Sequence, residues 1–150
     1  IKKMTIWGNH SPTMYPDLDN AEIKGESASG WINDQNWIES DFLRIVQQRG
    51  KAIIDARGAS SATSAANAAI DTVKATLSET PADDWFSAAV LSDGSYNVPE
   101  GLIFGFPLKA DANGKVSIVQ DLPISDYAQG KIELTTQELL DEKNDIKDLL

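Results

Sequence analysis

The sequence predicts an α+β domain, and three observations support this class. The first half carries two long stretches with apolar residues at helical spacing, and the second half carries strand-like apolar runs separated by turn residues. An amphipathic stretch with helical spacing closes the chain. A chain of 150 residues is long enough for one domain with its own core. We therefore expect a single domain, residues 1–150, in which an antiparallel sheet packs with long helices.

The first predicted element is a short strand over residues 3–7. It is followed by turn-forming residues from Gly8 to Pro12, so His10 should lie where the strand ends. Residues 15–20 are predicted to form a loop, and residues 21–24 a second brief strand.

The first long helix is predicted to begin at Asn33 or Asp34, because either side chain can cap a helix. Its apolar stripe continues to a stop signal at Gly58. Gly50 interrupts this helix, and a glycine inside a helix costs about 1 kcal/mol relative to alanine. We therefore expect a kink or a close neighbour at Gly50.

A second helix should follow a serine cap, with one face buried. Small residues fill its first turns, which would let a ligand or another backbone approach. The cap candidates are Ser60 and Ser61. The expected buried face consists of Ala62, Ala66, Ala69 or Ile70, Val73 and Leu77.

Three apolar runs, at residues 85–91, 102–109 and 116–119, predict the antiparallel sheet. The last two runs are joined by residues 111–114, which contain the Asn-Gly pair typical of tight turns. The final helix is predicted to open at residues 135–138, where Thr-Thr-Gln-Glu matches a capping box. Its acidic side is expected to be a solvated face rather than a binding element.

Composition excludes several classes of protein. A net charge of −10 repels phosphate backbones, so nucleic acid is not an expected partner, and the same charge repels anionic substrates. The chain has no cysteine, so disulfides and thiolate sites are excluded. It has no apolar run of membrane-spanning length and no secretory signal, so we expect a soluble, cytoplasmic protein without membrane partners.

His10 is the only histidine and the leading acid/base candidate, because an unperturbed imidazole titrates near neutral pH. The alternative is a structural histidine whose ring nitrogens are satisfied by Asn9, Ser11 or backbone groups. No second histidine, cysteine or well-spaced carboxylate accompanies His10, so we expect no metal site.

Several segments resemble, in order and approximate spacing, the C-terminal domain of malate dehydrogenases of the cytosolic type. Together they extend over essentially the whole chain, which makes the resemblance far more specific than one short motif. The segments are 3–11 with 15–17, 46–50, 59–66, 92–94, 98–99, 106–107 and 122–124.

The resemblance implies hydride exchange between NAD and the C2 atom of malate or oxaloacetate. His10 would accept the hydroxyl proton, beside both substrate and cofactor. Ser61 would line the substrate pocket next to the nicotinamide, and the backbone of Gly50 would lie close to the substrate. The plainer interpretations are a helix cap for Ser61 and a helix-packing glycine at position 50.

The resemblance also implies that the chain lacks half of the catalytic apparatus. No G-x-G-x-x-G motif occurs, so the Rossmann domain that mainly seats NAD should lie outside the chain. The family's substrate arginines and the aspartate partner of the histidine belong there as well. Arg49 is therefore expected to be structural, with its head paired to a carboxylate or carbonyl group.

We expect the isolated chain, which begins with Ile1 at an apparent strand interior, to be an inactive part of a longer protein. Family members commonly dimerise, so a homo-oligomer is expected. The alternatives are a non-catalytic assembly module, a dehydrogenase for another 2-hydroxy acid, or a distant glycosidase relative that uses NAD and a metal.

Overall fold

The central element of the fold, in a computed structural model that describes residues 1–149, is a three-stranded antiparallel sheet. Strands β5 (Phe86–Leu91), β6 (Ile103–Ala110) and β7 (Val116–Ile118) lie in the order β5-β6-β7. These strands confirm the three predicted runs to within two residues. The predicted turn at residues 111–114 joins β6 to β7.

A second, two-stranded sheet precedes it and contains a strand that the sequence did not predict. Strand β1 (Thr5–Trp7) was expected, but its antiparallel partner β2 (Tyr15–Asp17) falls in the predicted loop. The loop prediction was wrong here because the pairing is held by tertiary contacts. The buried carboxylate of Asp17 accepts a hydrogen bond from the indole Nε1–H of Trp7 at 3.1 Å.

A small hairpin and a one-turn helix follow. Strand β3 (Glu22–Ile23) pairs with β4 (Glu26–Ser27), and β3 lies within the predicted second strand. Helix α1 (Ala28–Ile32) was not predicted. It begins where the Ser27 hydroxyl accepts the N–H of Gly30, so a local cap rather than an apolar stripe defines it.

The first long helix is present, with both predicted ends, but it is not continuous. Asp34 caps its start by accepting the N–H of Trp37 at 2.9 Å, and Gly58 ends it with a positive φ of 75°. The interruption falls at Gln48 rather than at Gly50. The segments in order are α2 (Gln35–Trp37), a π-helical turn (Ile38–Phe42), α3 (Leu43–Gln47) and α4 (Arg49–Arg57).

The second long helix, α5 (Thr63–Leu77), differs from prediction in two respects. Its N-cap is Ala62, which makes no side-chain cap hydrogen bond, so the serine-cap prediction was wrong. Its apolar face is exposed rather than buried, with Ile70 54% and Leu77 76% accessible. The periodicity was read correctly, but nothing in the described residues covers that face.

The final helix begins nine residues earlier than predicted, as α6 (Asp126–Asp145), and Ser125 caps it by accepting the N–H of Ala128. The Thr-Thr-Gln-Glu motif lies inside the helix, where Thr135 is fully buried. A 3₁₀ turn (Lys147–Leu149) follows, and Leu150, which the sequence pattern also placed on this helix, lies outside the described residues.

The main core lies between β1, the three-stranded sheet and α6. Its fully buried side chains include Trp7, Phe104, Phe106 and Ile132, and the rings of Phe104 and Phe106 lie 5.0 Å apart between centroids. Burial of one such side chain stabilises the fold by about 1.5–3 kcal/mol. Within residues 1–149, no helix combines the length and apolarity that a membrane span requires.

Candidate active site

Two glycines place the turn that carries His10. The backbone N–H of Gly105 on β6 donates to the carbonyl of Gly8 at 2.7 Å, and Gly8 returns a longer bond of 3.4 Å. A Cβ on Gly105 would lie 2.5 Å from the carbonyl oxygen of Ile6, and one on Gly8 would lie 2.2 Å from Thr135 Oγ1. The backbone at Gly8, just after β1, is therefore held tightly between β6 and α6, and His10 follows two residues later.

His10 is exposed and lines a cavity of about 620 Å³. The other walls come from α3, α4 and the start of α5, and they include Gly50 and Ser61. The structure thus brings together the three residues that the sequence resemblance selected. A pocket of this size is typical of small-ligand sites, which range over about 300–1,000 Å³.

The side chains next to His10 are engaged elsewhere. Ser11 Oγ donates to Glu138 Oε2 at 2.6 Å, and Asn9 Oδ1 lies 3.5 Å from Thr13 Oγ1. Within residues 1–149 the imidazole of His10 has no hydrogen-bond partner. The interpretation of His10 as a histidine with satisfied ring nitrogens is therefore not supported, and its nitrogens are available to a ligand.

Ser61 and Gly50 each present an open surface to the cavity. The Ser61 hydroxyl has no partner in the part of the chain that the structure describes, and it does not cap α5. Gly50 has no atom within 4 Å of the place a Cβ would occupy, so it is not a packing glycine within the described residues. Both positions can approach a bound molecule closely.

Two cationic side chains also line the cavity: Arg49, which sequence reasoning set aside, and Lys51, which it did not consider. Arg49 and Lys51 lie on its wall, and among residues 1–149 no carboxylate joins them there. Lys51 Nζ is paired with Asp55 at 2.8 Å, whereas Arg49 forms neither an ion pair nor a hydrogen bond with any described residue. The expectation that the head of Arg49 is paired was wrong. Arg49 is therefore the unpaired cation of this wall among the described residues, and its charge locally opposes the anion-repelling net charge.

Apolar side chains complete the cavity, among them Ile6, Met14, Val46 and Ile53. Apolar walls with a few convergent polar groups are typical of small-ligand sites. The described residues contain no group of three or more His, Asp or Glu side chains with the geometry of a metal site.

Sequence reasoning missed the contact of Glu138 with this site. The carboxylate accepts from Ser11 and also from the Thr13 hydroxyl, and these hydrogen bonds lower the pKa of Glu138. The sequence had assigned Glu138 to a capping box and to a solvated face. No local signal could have revealed the contact, because 127 residues separate Ser11 from Glu138.

The family model for the lactate/malate dehydrogenase, alpha/beta C-terminal domain, matches residues 1–150. The chain belongs to this family. The resemblance and the fold class inferred from the sequence are thereby confirmed for this dehydrogenase domain.

Solved structures agree with this placement. The domain is 41% identical to malate dehydrogenase from Naegleria fowleri, with a TM-score of 0.90 over 99% of this chain and 45% of that one. It is 27% identical to Trichomonas vaginalis lactate dehydrogenase in complex with NADH and oxamate, with a TM-score of 0.86 over 98% of this chain and 46% of that one. The domain therefore spans less than half the length of these relatives. Both malate and lactate dehydrogenases are represented.

Proposed function

We propose that this chain is the C-terminal, substrate-binding half of an NAD-dependent dehydrogenase that interconverts malate and oxaloacetate, with a Rossmann nucleotide-binding half in the same protein. The observation that carries the proposal is the unpaired, exposed imidazole of His10 in one cavity with Ser61 and Gly50. Family membership supports a dehydrogenase. The resemblance to cytosolic malate dehydrogenases supports the cytoplasm as its compartment.

The chemistry that His10 would perform is proton transfer. An alcohol cannot release a hydride readily unless its hydroxyl proton has an acceptor, and a neutral imidazole in hydrogen-bond reach supplies one. In the reverse direction the protonated ring donates to the keto oxygen. NAD, seated mainly by the other half, supplies the hydride acceptor.

This chain fits one side of that cofactor. The Ser61 hydroxyl and the open surface at Gly50 border the cavity that holds His10, so a nicotinamide and a small substrate could meet the imidazole there. The chain contains no glycine-rich phosphate motif, so the pyrophosphate would be bound elsewhere. We therefore expect no useful NAD affinity in the isolated chain. Micromolar binding of NAD to the 150 residues in a calorimetric titration would contradict this division of labour.

The unpaired Arg49 on the cavity wall and the malate dehydrogenase at 41% identity favour malate over lactate. A dicarboxylate carries one more negative charge than lactate or pyruvate, and the guanidinium of Arg49 offers a partner for it. The test is the ratio of kcat/KM for oxaloacetate to that for pyruvate in the full-length protein. A ratio below one would favour a lactate dehydrogenase.

Replacement of His10 tests the central role. His10→Asn in the full-length protein should lower kcat for oxaloacetate reduction by about 10²- to 10⁴-fold, the usual contribution of a positioned acid/base group. Circular dichroism and melting temperature should stay at wild-type values, because His10 is exposed and unbonded within the described residues. Undiminished turnover in a folded variant would end the proposal.

A specific observation also favours the second candidate, an assembly role. Ile70, Val73 and Leu77 on α5, with Leu91 and Ile103 on the sheet, expose large apolar surfaces. Such surfaces usually mark contacts with another domain or subunit. Sedimentation of the isolated chain should show self-association, and an intact protein that is oligomeric but inactive on all 2-hydroxy acids would favour assembly over catalysis.

A further inference from the structure

The turn that carries His10 is tied to α6 on both sides of the histidine. Before it, the backbone N–H of Asn9 donates to Thr135 Oγ1 at 3.3 Å. After it, the hydroxyls of Ser11 and Thr13 donate to one oxygen of Glu138, Oε2, with the Ser11 bond at 2.6 Å. His10 itself forms no hydrogen bond with any described residue.

Further hydrogen bonds within the turn connect the residues that this carboxylate holds. The Thr13 N–H donates to Ser11 Oγ at 3.0 Å, and the two hydroxyls of these residues lie 2.8 Å apart. The N–H of Met14 donates to the carbonyl of Ser11 at 3.1 Å. The described hydroxyls of the turn, those of Ser11 and Thr13, therefore both bond to Glu138, and these bonds lower the pKa of its carboxyl group. Hydrogen bonds to a charged acceptor are stronger than neutral ones.

We propose that Glu138 is a positioning residue for His10: it fixes the Ser11–Thr13 side of the turn and thereby holds the imidazole at the mouth of the cavity. This inference rests on the proposed function, because it gives the histidine a catalytic task. Glu138 contacts neither substrate nor cofactor in this proposal. It acts through the backbone that carries His10.

The physical argument is one of pre-organisation. An exposed turn with an unbonded imidazole samples many conformers, and a proton acceptor must stay within about 0.5 Å of its productive position to be effective. A misplacement of about 1 Å can cost on the order of 10²-fold in rate. A charged anchor on a long helix packed in the core is rigid enough to supply that constraint.

Two substitutions at this position separate geometry from charge. Glu138→Ala removes the acceptor, whereas Glu138→Gln keeps one carbonyl oxygen, and one oxygen accepts both hydroxyls in the structure. Glu142→Ala is the matched control, because Glu142 lies on the same helix, is exposed and has no side-chain hydrogen bond among the described residues.

In the full-length protein, Glu138→Ala should lower kcat for oxaloacetate reduction by about 10- to 100-fold. The KM for NADH should stay within about two-fold, since Glu138 acts on the proton acceptor alone. Glu138→Gln should recover most of the lost kcat, and Glu142→Ala should match wild type. Equal loss in the Ala and Gln variants would overturn the positioning role.

A second measurement uses the 150-residue chain and does not depend on activity. His10 is the only histidine, so its ring gives an unambiguous NMR signal. Glu138→Ala should broaden or average that signal and accelerate hydrogen exchange at the amides of Thr13 and Met14, and Glu142→Ala should do neither. Unchanged exchange would overturn the proposal, and so would faster exchange with unchanged kcat.

The two measurements also distinguish this inference from the proposed function. If the full-length protein proves inactive, or if His10→Asn has full activity, then the proposed function fails and with it the catalytic purpose of the anchor. The exchange data would still decide whether Glu138 holds the turn.

Discussion

Substitution of Gly8 by alanine tests the packing that sets the end of β1. Gly8 has a φ of +99°, and a Cβ there would lie 2.2 Å from Oγ1 and 2.4 Å from Cγ2 of the fully buried Thr135. The positive φ costs about 1–2 kcal/mol for a residue with a Cβ. Overpacking a filled core typically adds about 1–3 kcal/mol. The sum is about 2–5 kcal/mol of lost stability.

For a chain of this size, about 1 kcal/mol shifts the melting temperature by about 2–4 °C, so Gly8→Ala should melt about 4–20 °C lower. Scanning calorimetry of the 150-residue chain measures this shift. Gly50→Ala is the control, because its Cβ would meet nothing within 4 Å in α4, and it should stabilise by about 0.5–1 kcal/mol. A Gly8→Ala variant whose melting temperature equals that of the wild type would refute the close approach of the Gly8 backbone to α6.

Three further outcomes follow from the structure. Asp17→Ala removes the acceptor of the buried indole N–H of Trp7 and of the backbone N–H groups of Asp19 and Asn20, so urea unfolding should show a loss of stability on the order of 3 kcal/mol. A loss below about 1 kcal/mol would contradict the structural role of this carboxylate. Arg49→Gln in the full-length protein should raise the KM for oxaloacetate about five-fold, which corresponds to about 1 kcal/mol. Arg44→Gln is the control and should leave this KM unchanged, because Arg44 is exposed and does not line the cavity. Equal KM values for the two variants would show that Arg49 does not belong to the site. Hydrogen bonds from hydroxyl groups hold the pKa of Glu138 below its ordinary 4.5, so the turn that carries His10 should be fully ordered above pH 4.5 and should lose this order as the pH falls through the lower pKa of the folded state. Amide hydrogen exchange in the turn measures this loss. Exchange that does not depend on pH, after correction for intrinsic rates, would show that the carboxylate does not hold the turn.

Local patterns in the sequence predicted those parts of the fold whose energetics are local. The cap at Asp34 and the αL stop at Gly58 each depend on bonds within four residues, and both were predicted from residue type. The three strands of the main sheet follow from apolar runs and turn residues. The resemblance added His10, Gly50 and Ser61, and the fold places all three around one cavity.

Two of the errors concern residues whose partners lie elsewhere in the fold or outside the described residues. The Thr-Thr-Gln-Glu motif resembles a helix start, but Thr135 packs against Gly8 and Glu138 bonds the turn beyond His10. The apolar periodicity of α5 is real, yet its face is exposed in this chain, because periodicity shows that a face is apolar without showing what covers it.

By itself the sequence determined the strands of the main sheet and the presence of the long helices, and it singled out one histidine as the acid/base candidate. Only the tertiary structure decided which residues hold the backbone on either side of His10. The backbone of Asn9 meets α6 through a contact 126 residues away, and Ser11 through one 127 residues away. Such contacts depend on the path of the whole chain, so no local propensity encodes them, and Arg49 and Glu138 come near the turn of His10 only when the helices are packed.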